Sequence, residues 1–218
     1  MRIKWYGHAA FLITSDQGIK IITDPYESGA YDGALAYGKI EDTADIVLIS
    51  HDHADHNDVK SLPGAPQVIK GNCFKTVKEV SIKSISTFHD PSKGSERGAN
   101  TIYTFSVDGI QICHLGDLGH PLSDKEIAEI GQVDILLIPI GGVFTIDPKE
   151  ASHVLKQIKP KILIPMHFKT EKCGFPIAPV EDFLIGKTNI KRLKESESAF
   201  NKATLPQQME VVVLTHAL

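Results

Sequence analysis

The stretch Ser50-His51-Asp52-His53-Ala54-Asp55-His56 sets three histidines and two aspartates into the six positions 51–56, directly behind the apolar run Ile46-Val47-Leu48-Ile49. A strand that ends in a buried run delivers its following loop to a cleft. Imidazoles and carboxylates crowded there would repel one another or stay unpaired without a cation, so the stretch points to bound metal. His51 and His53 are two apart and can point the same way from an extended segment, gripping one ion together. Asp55 and His56 come after the chain has begun to turn, and their donors face a point a few ångströms away, which suits a second ion. Two-metal sites hold their ions about 3.5–4 Å apart. A closed structural zinc site would instead draw four ligands rich in cysteine, and this stretch has none.

A dinuclear site needs further donors, and other strand ends offer them. Phe88-His89-Asp90 follows the alternating run from Ile82 to Phe88, Leu115-Gly116-Asp117 follows Ile110-Gln111-Ile112-Cys113, and Met166-His167 follows Ile162-Leu163-Ile164-Pro165. Loops that leave neighbouring strands at one sheet edge converge, which is where open α/β sheets place their sites.

In this order HDHADH, FHD, HLGD and IPMH resemble the ligand series of the metallo-β-lactamase superfamily, over nearly the whole chain. Within it WYGHAAFLI, IITDP, RGAN, HLGDLGH, LLIPIGG and IPMHF resemble a branch of metal-dependent hydrolases distantly akin to L-ascorbate-6-phosphate lactonase. Carried onto this sequence, the resemblance implies that His51, His53 and His89 hold a first ion. Asp55, His56 and His167 would hold a second, with Asp117 bridging the two. True β-lactamases place a cysteine among the second-site ligands and lack the bridging aspartate. Flavodiiron proteins carry a glutamate where this chain has His53. Nucleases of the superfamily add a domain or arm for RNA, and no segment here is long or basic enough for one.

The same resemblance implies an α/β fold, a four-layer αββα sandwich, where periodicity alone says only mixed α/β. It implies a metal-dependent hydrolase whose two divalent ions share a hydroxide, with Asp55 and Asp117 in catalytic roles. The substrate class is a small ester, lactone, amide or phosphodiester. Zinc is the default metal, and manganese, iron or nickel suit the same nitrogen and oxygen donors. The alternative of another class is a non-catalytic sensor or scaffold that keeps the metals while binding a metabolite; a third is oxygen chemistry at iron.

Composition agrees. A chain of 218 residues with 42% hydrophobic content can bury one substantial core, and one domain over 1–218 is expected. A net charge of −4 supplies no electrostatic footprint for nucleic acid or anionic membrane, so the expected partner is a small molecule. The opening MRIKWYG reads as a strand rather than a leader, and no apolar run approaches about 18 residues, which points to the cytoplasm. Cys73, Cys113 and Cys173 are widely spaced and read as free thiols, with Cys113 in the core; Cys173, in a Gly and Pro loop past His167, reads as a loop thiol rather than a group at the site rim.

Strands are expected over 1–6, 10–15 and 19–23, the last two joined at Asp16-Gln17-Gly18, and over 101–107 and 110–114 around an Asp108-Gly109 hairpin. Ser123 with Glu126 forms a capping box, and Asp147-Pro148-Lys149-Glu150 starts a helix whose Ala151, Val154, Leu155 and Ile158 make one apolar stripe. The continuous runs 135–139 and 162–165 suit strands covered on both faces.

Around the ligands, Asp24 ends a strand and is the candidate to fix an imidazole tautomer from behind. Asp52 and Asp90 should point away on alternation. His8, in Gly7-His8-Ala9, and His120, closing Gly116-Asp117-Leu118-Gly119-His120, sit beside glycines that leave room for close approach to substrate. Arg97 and Asn100, with Lys169 and Lys172, are candidates for binding an anionic or amide group. Gly141-Gly142 is a weaker signal for backbone approach to the site. His114 reads as a hydrogen-bonded core group, and His153 and His216 as solvated.

Overall fold

The computed structural model describes residues 1–218. In chain order the strands are β1 Arg2–Gly7, β2 Ala10–Thr14, β3 Lys20–Thr23, β4 Ile46–Ile49, β5 Gln67–Lys70, β6 Phe74–Val77, β7 Val80–Phe88, β8 Ala99–Val107, β9 Ile110–His114, β10 Ile135–Pro139, β11 Ile162–Met166, β12 Ile190–Arg192, β13 Glu197–Ala199 and β14 Glu210–Val213. The helices are α1 Asp124–Ile130, α2 Pro148–Ile158 and α3 Val180–Leu184, and none is long and apolar enough to cross a membrane.

The strands form two sheets, ordered β13-β1-β2-β3-β4-β5 and β12-β14-β11-β10-β9-β8-β7-β6. Period-two alternation decides which face of the first sheet each residue serves. Ile3, Trp5, Phe11, Ile13, Ile21, Ile46 and Leu48 join the core shared with the second sheet. Their neighbours Tyr6, Ala10, Leu12, Ile22, Val47 and Ile49 form a separate outer cluster with Tyr26, Leu35, Tyr37 and Ile40. β10 and β11, buried along their whole length, are covered on both faces as their unbroken apolar runs require.

The two-sheet α/β sandwich is the expected fold, and its outer layers differ in kind. Over the second sheet the layer is helical, with Ala151, Val154, Leu155 and Ile158 of α2 and Phe183 and Leu184 of α3 in the main core. Over the first sheet the cover is the irregular segment 24–45 and the 3-10 turn Val59–Ser61, whose Leu62 packs beneath it. Both capping boxes form, at Ser123–Glu126 and at Asp147–Glu150.

Strand direction explains why one edge collects the functional loops. β9, β10 and β11 run parallel, and β7 runs the same way because two antiparallel steps separate it from β9. In the other sheet two antiparallel steps from β1 to β3 and one parallel step to β4 give β1 and β4 a common direction. The sheets are locked together near that edge, where Thr101 N donates to Ser50 O at 3.0 Å and Tyr103 Oη to Ile49 O at 2.9 Å. The loops after β1, β4, β7, β9 and β11 therefore open on one cleft.

Candidate metal centre

β4 ends at Ile49, and the next residue, Ser50, is gripped by Asp24 from the end of β3. Asp24 Oδ1 accepts Ser50 N–H at 2.7 Å, and Oδ2 accepts the Ser50 hydroxyl at 2.6 Å and lies 3.0 Å from His56 Nδ1. A carboxylate only accepts, so His56 donates from Nδ1 and turns Nε2 toward the cleft, where it can meet a proton or a cation. The Ser50 hydroxyl spends its proton on Asp24 and so accepts from His51 Nδ1 at 2.9 Å, which leaves His51 Nε2 unprotonated. One carboxylate thus sets the tautomers of two imidazoles, the role expected of Asp24.

His51 Nε2 lies 3.0 Å from His53 Nδ1, and His89 completes this group of three. A second group gathers His8, Asp55, His56 and His167, and a third joins His51, His56 and Asp117. Asp117 sits among them all: its Oδ2 is 3.2 Å from Nε2 of His56, of His89 and of His167. The backbone amide of Asp117 donates to Asn100 Oδ1 at 2.9 Å, while Asn100 Nδ2 donates to Thr87 Oγ1 and to Leu115 O, each at 2.9 Å. Gly116 (φ 56°) makes this turn possible, because a Cβ there would fall 2.4 Å from Asn100 Oδ1.

Without a metal, protonated imidazole is the countercharge nearest the buried carboxylates. Burial works against charge on Asp117, yet His167 and His56 hold its carboxyl well below the usual range. Asp55 is held low in the same sense, against burial, by His56 and His8. Burial also opposes a proton on His56, but Asp117 and Asp55 outweigh it and raise its pKa well above the ordinary value. His51 is pushed down to about 3 by burial and by neighbouring His56. His56 Nε2 and Asp117 Oδ1 are both buried without a hydrogen-bond partner. A lone pair facing two carboxylates is favourable only with a proton or a metal cation between them. Donor separations of 3.0–3.2 Å also fit an ion: tetrahedral ligands at 2.0–2.1 Å from zinc stand roughly 3.3 Å apart. The donor set fits a divalent metal.

The other candidates fall on either side of the cleft wall. His8 is fully buried behind Asp55, its Nε2 3.0 Å from Asp55 Oδ2, so it does not meet substrate. Burial, then His167, pushes it down to about 4. The space beside Gly7 is filled by the Tyr37 ring, 2.4 Å from where a Cβ would lie. His120 is spent on backbone: Phe88 N–H donates to its Nε2 at 3.3 Å and Nδ1 lies 2.8 Å from Pro121 O, outside the cleft lining. Asn100 is buried and braces Asp117 rather than reaching solvent. Lys169 Nζ donates to Phe175 O, fixing a loop. Asp52 points away to Asn57 and Lys70, and Asp90 turns inward to organise its own loop. Gly141, in the loop after β10, lets its backbone approach His167, whose carbonyl oxygen would lie 2.3 Å from a Cβ there. His114 is a core group between Ala9 O and Gly116 N–H. His153 is exposed, whereas His216, expected in solvent, packs edge-on against Trp5 and Tyr37 and pairs with Glu171. The three thiols are free, and Cys173 is buried away from the cleft lining.

Arg97 does line the cleft, a space of about 390 Å³ shared with His53, Asp55, His89, Asp117, His167, Tyr31, Phe144 and Phe175. Tyr31 and Phe144 are not among the residues the sequence marks for the site. Tyr31 Oη donates to Asp55 Oδ1 at 3.0 Å, and the Phe175 ring stands 5.4 Å from Tyr31 and 5.5 Å from Phe144. No spacing rule reaches Tyr31, since it sits in a turn at φ 55°.

Residues 2–167 match the beta-lactamase superfamily domain. A metal-dependent hydrolase of Carboxydothermus hydrogenoformans is 33% identical over 196 residues, covering 78% of this chain and 85% of that protein. One from Pyrococcus furiosus is 34% identical, covering 91% of this chain and 98% of its own length. A crystal structure from Thermotoga maritima, of a protein assigned to the Zn-dependent hydrolases of the metallo-β-lactamase superfamily, aligns with a TM-score of 0.81 at 37% identity, over 98% of this chain and 97% of that one.

Proposed function

Because the chain belongs to the metallo-β-lactamase superfamily and is by that kinship a metal-dependent hydrolase, we propose that its cleft holds two divalent ions and cleaves a small ester, lactone, amide or phosphodiester. His51, His53 and His89 would hold one ion; Asp55, His56 and His167 the other; Asp117 would join them. The observation that carries this reading is Asp117 Oδ2, equidistant at 3.2 Å from one imidazole of the first group and two of the second. The name of the Thermotoga maritima relative favours zinc. The main core draws on Met1 and on Leu214 alike, which supports treating 1–218 as one catalytic domain.

When bound, such ions supply Lewis acidity toward the substrate oxygen and toward a water nucleophile. The chain's own residues do the positioning. Asp24, directly and through Ser50, presents Nε2 of His56 and of His51 to the cleft. His8 and Tyr31 hold Asp55 from two sides, at Oδ2 and Oδ1, so that its carboxylate cannot swing. Tyr31, Phe144 and Phe175 give one wall an apolar surface and size the space for a small molecule. No serine or cysteine lines that space as a nucleophile.

The test is Asp117→Ala, assayed by elemental analysis and by a panel of chromogenic esters, lactones and phosphodiesters. The expected outcome is about two metal equivalents and turnover in the wild type, with both lost in the variant. Hydrolysis that persists in the variant, or after exhaustive chelation, refutes the mechanism.

A further inference from the structure

The wall of the cleft carries a cation that the metal chemistry does not need. The chain has three arginines. Arg2 and Arg192 pair with Glu197 and Glu181 on the surface. Arg97 alone stands in the cleft, its side chain one-third exposed, and its nearest carboxylate is the exposed Glu96 at 3.6 Å, beyond hydrogen-bond distance. Its guanidinium lies 5.8 Å from the centre of the Phe144 ring, on the aromatic wall continued by Phe175 and Tyr31.

The loop under Arg97 is built rather than loose. The Asp90 carboxylate accepts four backbone amides, from Ser92 at 2.8 Å, Gly94 at 2.9 Å, Glu96 at 3.1 Å and Arg97 at 2.8 Å. On the next residue Gly98 O accepts His89 N–H at 3.0 Å. The backbone that carries the guanidinium is therefore tied to the backbone of a proposed ligand. A guanidinium has five donors in a planar fork, and here none is spent on the protein. Beyond its 3.6 Å ion pair with Glu96, the guanidinium has donors free to meet an anionic ligand that enters the same cleft as the proposed ions.

We propose that Arg97, seated on Phe144, is an oxyanion subsite, so that the substrate carries a carboxylate or phosphate on a flat, apolar body that lies along Tyr31, Phe175 and Phe144. This names a substrate class for the hydrolase proposed above and rests on that reading for the chemistry, though not for the binding. Charge selects and orients the ligand; the aromatic wall takes its body.

Two measurements on the metal-loaded protein test it without using turnover. The first is calorimetric binding of benzoate and of phenylphosphonate to the wild type, Arg97→Lys and Arg97→Gln, with metal content and thermal melting checking that each variant is intact. The tighter probe in the wild type identifies the preferred oxyanion. Its affinity should fall ~10-fold or more in Arg97→Gln, the scale of a lost charge-assisted contact, and recover in part in Arg97→Lys. The second is arginine modification by phenylglyoxal, mapped by mass spectrometry, with Arg2 and Arg192 as internal references. Benzoate should slow modification of Arg97 alone, and neutral benzamide should not. Equal affinity in wild type and Arg97→Gln, or equal protection by benzoate and benzamide, overturns the subsite. Loss of hydrolysis enters neither result, so failure of the metal mechanism is read separately from the Asp117→Ala comparison.

Discussion

Replacing Asp24 tests whether one buried carboxylate governs both halves of the proposed metal centre. Its three hydrogen bonds, to Ser50 N, Ser50 Oγ and His56 Nδ1, run from 2.6 to 3.0 Å, and all three partners are donors. Asp24→Ala frees the His56 ring and the Ser50 hydroxyl together, and His51 loses its fixed tautomer through Ser50. Partners of this kind are worth about 10–100-fold in metal affinity each. With one imidazole held directly and a second by relay, the expected loss is about 100-fold, or about 2.7 kcal/mol. Ser50→Ala cuts only the relay and should cost about 10-fold.

Asp24→Asn separates this effect from misfolding. Asn tolerates the left-handed backbone that Asp24 adopts at φ 39°, so the variant should fold. Its amide has only one accepting end for three donors. Turned toward His56, the NH₂ would force the imidazole proton onto Nε2, aimed at the cleft where a ligand lone pair is required. Competition for zinc against a chromophoric chelator at neutral pH, alongside urea unfolding of chelated protein, gives both quantities. An Asp24→Asn protein that folds and binds zinc as the wild type does would sink the tautomer argument.

Gly119→Ala should expel metal from a folded protein, because a Cβ there would sit 2.2 Å from the His89 carbonyl carbon and 2.4 Å from Asp90 N, both backbone atoms that must move; normal metal content by elemental analysis refutes this. At the opposite edge, fully buried Asp134 accepts Gln111 N–H at 2.9 Å and Lys202 Nζ at 2.6 Å, and Asp134→Ala should cost about 2 kcal/mol in urea unfolding at neutral pH. Burial raises its pKa, but the Gln111 amide and Lys202 together hold it below the ordinary value. A depressed carboxyl stabilises above its unfolded value, so the gap between wild type and Asp134→Ala should be constant above about pH 5 and shrink as pH falls below about 4. A gap that widens in acid contradicts the assignment.

The clustering of the proposed ligands was legible because these residues are written at strand ends. His51 to His56 are consecutive, and His89, Asp117 and His167 each follow a run whose period marks a strand, so direction alone brings them to one edge. The cleft wall was not legible, since Tyr31 and Phe144 hang from turns whose shape depends on positive φ at Tyr31 (55°) and Val143 (64°). Asn100 differs from expectation for a similar reason: the 90–100 segment has the composition of one polar loop, but β8 begins at Ala99 and carries Asn100 inward. The hairpin of β6 and β7 escaped notice because its turn, Lys78-Glu79, adopts φ 47° and 69° without a glycine to announce it. The cover over the first sheet has no period at all, so sequence pattern could not distinguish segment 24–45 from a helix-bearing layer.

Positive φ outside glycine also marks the site itself. His8 (52°), Asp24 (39°) and His167 (49°) all stand where a strand gives way to the cleft loop. Each such residue costs of order 1 kcal/mol, and a glycine there would relieve it. The backbone reversal at those points is nonetheless what turns three side chains inward within one residue of a strand end, before the loop can lead them into solvent. The bonds that hold them, His8 to Asp55, Asp24 to Ser50 and His56, and His167 N–H to His8 O at 3.0 Å, are bonds among site residues. Strain at one loop is thus opposed by contacts that exist only when its neighbours are also in place. The proposed centre should therefore assemble or loosen as a unit, and His167→Gly should lower zinc affinity, measured by chelator competition, by more than His167→Ala does; equal losses refute the coupling.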